Sequence, residues 1–239
     1  MSKHVKDFLQ KMESLGNPGQ VAGKAKFYQA YPGGYGEGDK FLSISVPEQR
    51  AVSTAFYKQL TPDELAKLLE NPFHEIRLTT LMMLVLRFQK SKDNAEQEAI
   101  VNIYLSHMDY VNNWDLVDSS AHYILGPWFL NKPHDFLTKL ADENHLWNQR
   151  IAVLTTFHFI KKGQYKTTLI LAEKLLNHKH DLIHKAVGWM LREIGNRDYQ
   201  TEYDFLKKHY KTMPRTMLRY AIEKFDESVR QGFLKGTIN

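Results

Sequence analysis

Apolar residues recur at three- and four-residue steps along almost the whole sequence, a period that belongs to helices rather than strands. Phe73 to Phe88 places Ile76, Leu81, Leu84, Val85 and Phe88 near one stripe. Trp147 to Ile160, Leu169 to Leu176 and Leu182 to Ile194 behave alike. Phe41-Leu-Ser-Ile-Ser-Val46 comes closest to the alternation of a strand, and it is short. Thr61-Pro62 and Lys132-Pro133 suit helix starts, Gly163 and Gly195 helix ends. The expected class is all-α, with about twelve to fourteen helices. A weaker signal lies on top: a polar turn, a charged residue and a small or β-branched apolar stretch recur at Arg77, Asp118, Arg150, Lys185 and Arg219. The intervals are 41, 32, 35 and 34 residues, the range of paired helices stacked as HEAT-like repeats in an α-α superhelix. In such a stack the second helices line a concave wall, and the recurring charged residue falls in their first turns, where it is expected to face the groove. Four of the five positions are cationic; Asp118 is the acid.

The chain has 239 residues, with 43% hydrophobic and 25% charged, enough to fill a sizeable core. Residues 1–239 read as one HEAT-like domain, in which 1–45 form atypical N-terminal helices with a glycine-rich loop and 46–239 the stacked pairs. Cysteine is absent, which excludes disulfides, thiolate metal sites and cysteine nucleophiles. The start, Met1-Ser-Lys-His-Val-Lys-Asp7, breaks into charge too early for a signal peptide. The longest uncharged apolar run, Ile151 to Ile160, falls short of the roughly 18 residues needed to span a bilayer. A soluble cytoplasmic protein, monomeric and without membrane partners, is expected. Net charge is +5, and the stretch from His145 to Gly195 alone holds eight Lys and Arg against three acids, with five of the eleven histidines. A basic stripe of this kind points to double-stranded DNA or another polyanion, the plainer reading being a solvated lysine surface.

Gly33-Gly-Tyr-Gly-Glu-Gly-Asp39 lacks the preceding strand and the following Gly-Lys-Ser/Thr of a phosphate-binding loop, so it reads as a flexible or tightly turned connector. Asn112-Asn-Trp-Asp-Leu-Val-Asp118 reads as a helix start, with Asn112 as the cap and Asp115 reaching back to it or favouring the positive helix end. Trp114 and Asp118, four apart, share one helical face. Trp147 stands three before Arg150, while Lys185, Trp189 and Arg192 follow at four and three. Rings alternating with cations suit stacking on sugars or bases while phosphates are neutralised; each tryptophan taken alone also suits a core. His180 and His184 have the spacing of two zinc ligands, but Asp181 replaces the glutamate base and no third ligand follows, so a helix cap with exposed or phosphate-facing histidines is the better reading. No metal or other cofactor is expected.

Several strings carry a closer likeness: Tyr35-Gly-Glu-Gly-Asp39, Val46-Pro-Glu-Gln-Arg50, Asn113-Trp-Asp-Leu-Val-Asp118-Ser-Ser, Gln149-Arg150-Ile-Ala, Ile183-His-Lys-Ala-Val-Gly-Trp189-Met-Leu-Arg192-Glu and Met213-Pro-Arg-Thr-Met-Leu-Arg219-Tyr. Together, from about Lys24 to Phe225, the sequence resembles the AlkD-type DNA alkylation repair family. The resemblance implies a HEAT-like superhelical DNA glycosylase that releases N3- and N7-alkylated purines from DNA containing alkylated bases. It matches Trp114, Asp118 and Trp189 to the catalytic cleft and Arg150 to a nearby DNA-contacting arginine. Trp147, Lys185 and Arg192 join Arg150 as expected DNA-binding residues. Asn113 stands where active members of the family carry an aromatic residue. A non-catalytic DNA-binding or structure-recognising repeat protein, or a protein-binding solenoid, is the alternative.

Overall fold

In a computed structural model, residues 1–238 are described, and among them lie fifteen α-helices. The one β contact among the described residues is an isolated bridge between Lys40 and Phe73. The fold is all-α, with one more helix than the upper expectation. The chain divides into two compact units, Met1–Ile124 and Leu125 onward. The first holds α1 (Lys3–Leu15), α2 (Val21–Phe27), α3 (Val46–Phe56), α4 (Pro62–Leu69), α5 (His74–Lys90), α6 (Asn94–Ser106) and α7 (Trp114–Asp118). Helix α8 (Ala121–Phe129) carries the boundary. The second unit holds α9 (Asp135–Asp142), α10 (Leu146–Lys161), α11 (Lys166–Lys174), α12 (Asp181–Gly195), α13 (Tyr199–His209), α14 (Arg215–Ala221) and α15 (Glu227–Lys235).

Local chemistry starts these helices: Thr61-Pro62 opens α4 as expected, whereas α9 begins at Asp135, two residues past Pro133. Ser45 and Glu48 form a reciprocal capping box at α3, and Thr61 and Glu64 do the same at α4, with a proline in each first turn. Asp93 caps α6 and Asp198 caps α13 through their carboxylates. The strand-like Phe41–Val46 stretch pairs with no second strand. Its Leu42 and Ser43 amides instead donate to the buried Glu75 carboxylate at 2.9 and 2.8 Å, so a side chain from α5 replaces the missing sheet partner.

In the first unit α5 is the central rod, packed by α3, α4, α6 and α7, and it is buried around most of its circumference. In the second unit α10 lies among α9, α11 and α12 and is buried just as fully. This corrects the expectation that the recurring cation of each second helix faces a groove. Arg77 on α5 and Arg150 on α10 are both buried, because neighbours cover most sides of the helices that carry them. No helix among the described residues is long and apolar enough to cross a membrane.

Candidate functional site

Trp114 and Asp118 are the first and last residues of α7, a helix of five residues in the first unit, and both are half-buried. The N-cap is Asn113, not Asn112: the Asn113 Oδ1 accepts from the Trp114 amide at 2.9 Å. Ser119 and Ser120 close the other end, their hydroxyls donating to the Asp115 and Leu116 carbonyls at 2.6 and 2.5 Å. Ser120 also meets the Tyr104 hydroxyl at 3.1 Å. Burial raises the Tyr104 phenol pKa; the Ser120 hydrogen bond opposes the rise and the negative charge of Asp118 adds to it.

The indole of Trp114 rests on aromatic side chains from the end of α2. Tyr28 stacks on it with centroids 5.6 Å apart and 25° between planes, and Phe27 meets it edge-on at 5.9 Å. Phe27 is itself 62% exposed. The glycine-rich loop approaches the same place. A Cβ on Gly36 would sit 2.3 Å from the Tyr28 carbonyl oxygen and 3.1 Å from Asn113 Nδ2, so only glycine permits the loop to pass between them. The loop is a tight connector, as its composition suggests.

Beneath Trp114 lies an ionic cluster that the sequence did not reveal. His74, 1% exposed, presents Nδ1 to Asp39 Oδ2 at 3.0 Å and Nε2 to Asp115 Oδ2 at 2.9 Å. The second oxygen of Asp39 takes Arg77 Nη2 at 2.7 Å. Arg77 also donates to the Asn71 and Tyr110 carbonyls and to Asn112 Oδ1. Burial opposes a charge on His74, but the two carboxylates outweigh it and push the imidazole up to about 9. Burial likewise works against ionised Asp39, yet the His74 hydrogen bond and the Arg77 charge hold its carboxyl below the usual range. Burial, then Asp115, raises the Tyr28 phenol. Asp115 does stand in the first turn of its own helix, where one oxygen serves the Leu116 amide at 2.9 Å, but the other crosses to α5, a contact that the helix-start reading did not contain. The available signal was His74 and Arg77, two polar residues three apart at the start of an otherwise apolar run.

The remaining expected residues belong to the second unit. Trp189 on α12 is half-buried; its Nε1 donates to Glu193 Oε1 at 3.2 Å and its ring lies 5.5 Å from Phe157. Lys185 meets Asp181 at 2.6 Å, and Arg192 pairs with Glu223. Trp147 is 6% exposed and Arg150 4%. Arg150 Nη1 donates to the Leu182 carbonyl at 2.6 Å, so burial corrects the expectation that these two side chains stand open to a phosphate or a base. Three of the histidines are disfavoured as cations. Burial lowers the pKa of His178 and His180, and burial with Lys162 and Lys161 lowers that of His158. His180 caps α12, its Nδ1 accepting from the Leu182 amide, while His184 Nε2 donates to the His178 carbonyl at 2.6 Å. Among the described residues, no group of three or more acids and histidines is arranged to hold a metal ion.

Known proteins resemble this chain in sequence pattern and in fold. A family model described as DNA alkylation repair enzyme matches residues 8–225. The fold is similar to that of a solved structure described as a predicted DNA alkylation repair enzyme from Enterococcus faecalis. The TM-score is 0.68 at 17% identity, covering 89% of this chain and 97% of the other, a likeness that speaks for the fold. Comparison with curated proteins gave no match.

Proposed function

The chain belongs to the family of DNA alkylation repair enzymes, and from that premise we propose that it is a DNA glycosylase acting on N3- and N7-alkylated purines. Its substrate in this reading is double-stranded DNA carrying the alkylated base. The observation that carries the reading is α7. One helical turn presents a half-buried tryptophan and a half-buried carboxylate on a braced support, within the segment the family model matches.

An alkylated purine with a formal positive charge leaves readily, so the reaction asks little of a general acid. The N-glycosidic bond breaks with its electron pair going to the base, which departs neutral, and cationic character develops on the deoxyribose. The Asp118 carboxylate stabilises that cation and orients the water that adds to the anomeric carbon; the water's proton passes to solvent. The indole face of Trp114 supplies packing for the sugar and favours positive charge through its π system. Tyr28 behind Trp114 holds the ring against reorientation. Lys185 and Arg192 lend phosphate contacts by exchanging their surface carboxylate partners, pairs worth at most about 1 kcal/mol each.

Asp118→Asn removes the charge with almost no change in volume. Single-turnover release of 7-methylguanine or 3-methyladenine from methylated duplex should fall at least roughly tenfold, equivalent to about 1.4 kcal/mol of transition-state stabilisation, while duplex affinity holds or rises. An unchanged rate would remove Asp118 from the mechanism. No release by the wild type, with duplex binding retained, would favour the non-catalytic DNA-binding reading.

A further inference from the structure

We propose that Asp39 and His74 are positioning residues for the Trp114–Asp118 helix, tying it through Asp115 to the rod of α5 and to the glycine-rich loop. The proposal rests on the glycosylase reading for its kinetic consequence, and on geometry alone for the tie itself.

With both carboxylates ionised, the geometry fixes the protonation of the ring. An ionised carboxylate only accepts hydrogen bonds, and both ring nitrogens of His74 face carboxylate oxygens, at 3.0 and 2.9 Å. Both nitrogens must then donate, which makes the ring an imidazolium. With Arg77 alongside, two cations balance Asp39 and Asp115, and the buried cluster is neutral as a whole. Neutrality is what makes such a cluster tolerable in the interior, because an unmatched buried charge is costly. Glu75, the remaining charged neighbour on α5, is occupied by the Leu42 and Ser43 amides, and Tyr28 faces the cluster from the end of α2.

Three separate segments meet at this imidazolium: the loop through Asp39, α5 through His74 itself, and α7 through Asp115. Helix α7 has five residues, too few to hold its own shape through backbone hydrogen bonding. Its neighbours at the two ends of the cluster explain why Asp39 closes a run of glycines. The loop must pass hard against Tyr28 and Asn113, as Gly36 requires, to deliver a carboxylate beneath Trp114. Asp115 sits between Trp114 and Asp118 in sequence, so a shift of its tether moves both residues that would touch the sugar.

The test compares wild type, Asp39→Asn and His74→Gln by amide hydrogen exchange and by single-turnover excision from methylated duplex. Glutamine can donate to one carboxylate but cannot bridge two on opposite sides. Exchange at residues 113–119 should quicken in both variants while the rest of the first unit keeps its protection. The excision rate should fall about tenfold, with duplex affinity unchanged, as expected of a misplaced reacting group. Wild-type exchange at 113–119 in both variants would overturn the proposal. So would a rise in exchange spread evenly over residues 1–124, which would mark the cluster as general support for the unit. If the wild type releases no base, the glycosylase reading falls and the exchange pattern alone decides the tie.

Discussion

Glu202 is 1% exposed on α13, with its carboxyl lying over Gly195 and its Oε1 without a hydrogen-bond partner. Burial pushes its pKa up to about 9, against the smaller opposing pull of Arg192. Such a carboxyl is protonated in the folded state at pH values where the unfolded chain has lost that proton. Its contribution to stability is complete below the ordinary glutamate value of 4.5 and is lost as pH rises toward about 9. Glu202→Gln keeps the shape and removes the titration. Its thermal midpoint should exceed that of the wild type near pH 8 and converge with it near pH 4.5, the gap growing by up to about 1.4 kcal/mol per pH unit. Parallel melting curves across that range would contradict this account. The buried arginines make a related point. Arg77 Nε donates to the Tyr110 carbonyl and Arg150 Nη1 to the Leu182 carbonyl, 33 and 32 residues further on. The periodic cation that reads in sequence as a groove residue is, at these two places, a tie to the chain at or just before the helix that carries the next repeat position.

Among the elements, α12 is held hard against α14. A Cβ on Gly188 would fall 2.5 Å from the Met217 carbonyl oxygen and 2.6 Å from Tyr220 Cβ on α14, so the two helices touch backbone to backbone beside Trp189. Gly188→Ala should cost about 1–3 kcal/mol in urea denaturation, because neither a carbonyl nor a Cβ can swing aside. Gly23→Ala on α2, where a Cβ would meet nothing within 4 Å, is the control and should be neutral or slightly stabilising. Equal effects at the two glycines would show that helix propensity, not close approach, sets the cost. The periodic segments were legible as helices, but the two central rods looked amphipathic and are buried nearly all round. Hydrophobic spacing reports one apolar stripe. It does not report that Thr79, Thr80, Thr155 and Thr156 on the other faces enter the core by satisfying their hydroxyls within or beside their own helix.

At the scale of the whole molecule the charge is modest, +5, and the structure divides its expected carriers into two kinds. Arg77 and Arg150 are internal, whereas Lys185 and Arg192 lie at the surface with carboxylate partners. On the proposed function, duplex affinity should fall with added salt. Lys185→Gln combined with Arg192→Gln should reduce the slope of log affinity against log salt by about one to two, alike for unrelated sequences. Fluorescence anisotropy over a salt series measures it, and an unaltered slope would exclude both side chains from the interface.

What the sequence by itself determined is the all-α class, the capped helix starts at Thr61 and His180, and the string that puts Trp114 and Asp118 on one helical turn. These are local properties: a 3.6-residue period, a cap that reaches two or three residues, and an i to i+4 spacing all act within a few turns of chain. Tertiary structure alone decided the rest. It brought Asp39 to His74 from 35 residues away and Asp115 from 41, and it gave Glu75 to the backbone of residues 42 and 43. It also buried Arg150 and Trp147 where their spacing suggested an open face. The physical reason is that a charged side chain far from its partner in sequence looks like any solvated charge. Only when folding removes water from both does their pairing become obligatory, and only the three-dimensional path of the chain says which groups meet.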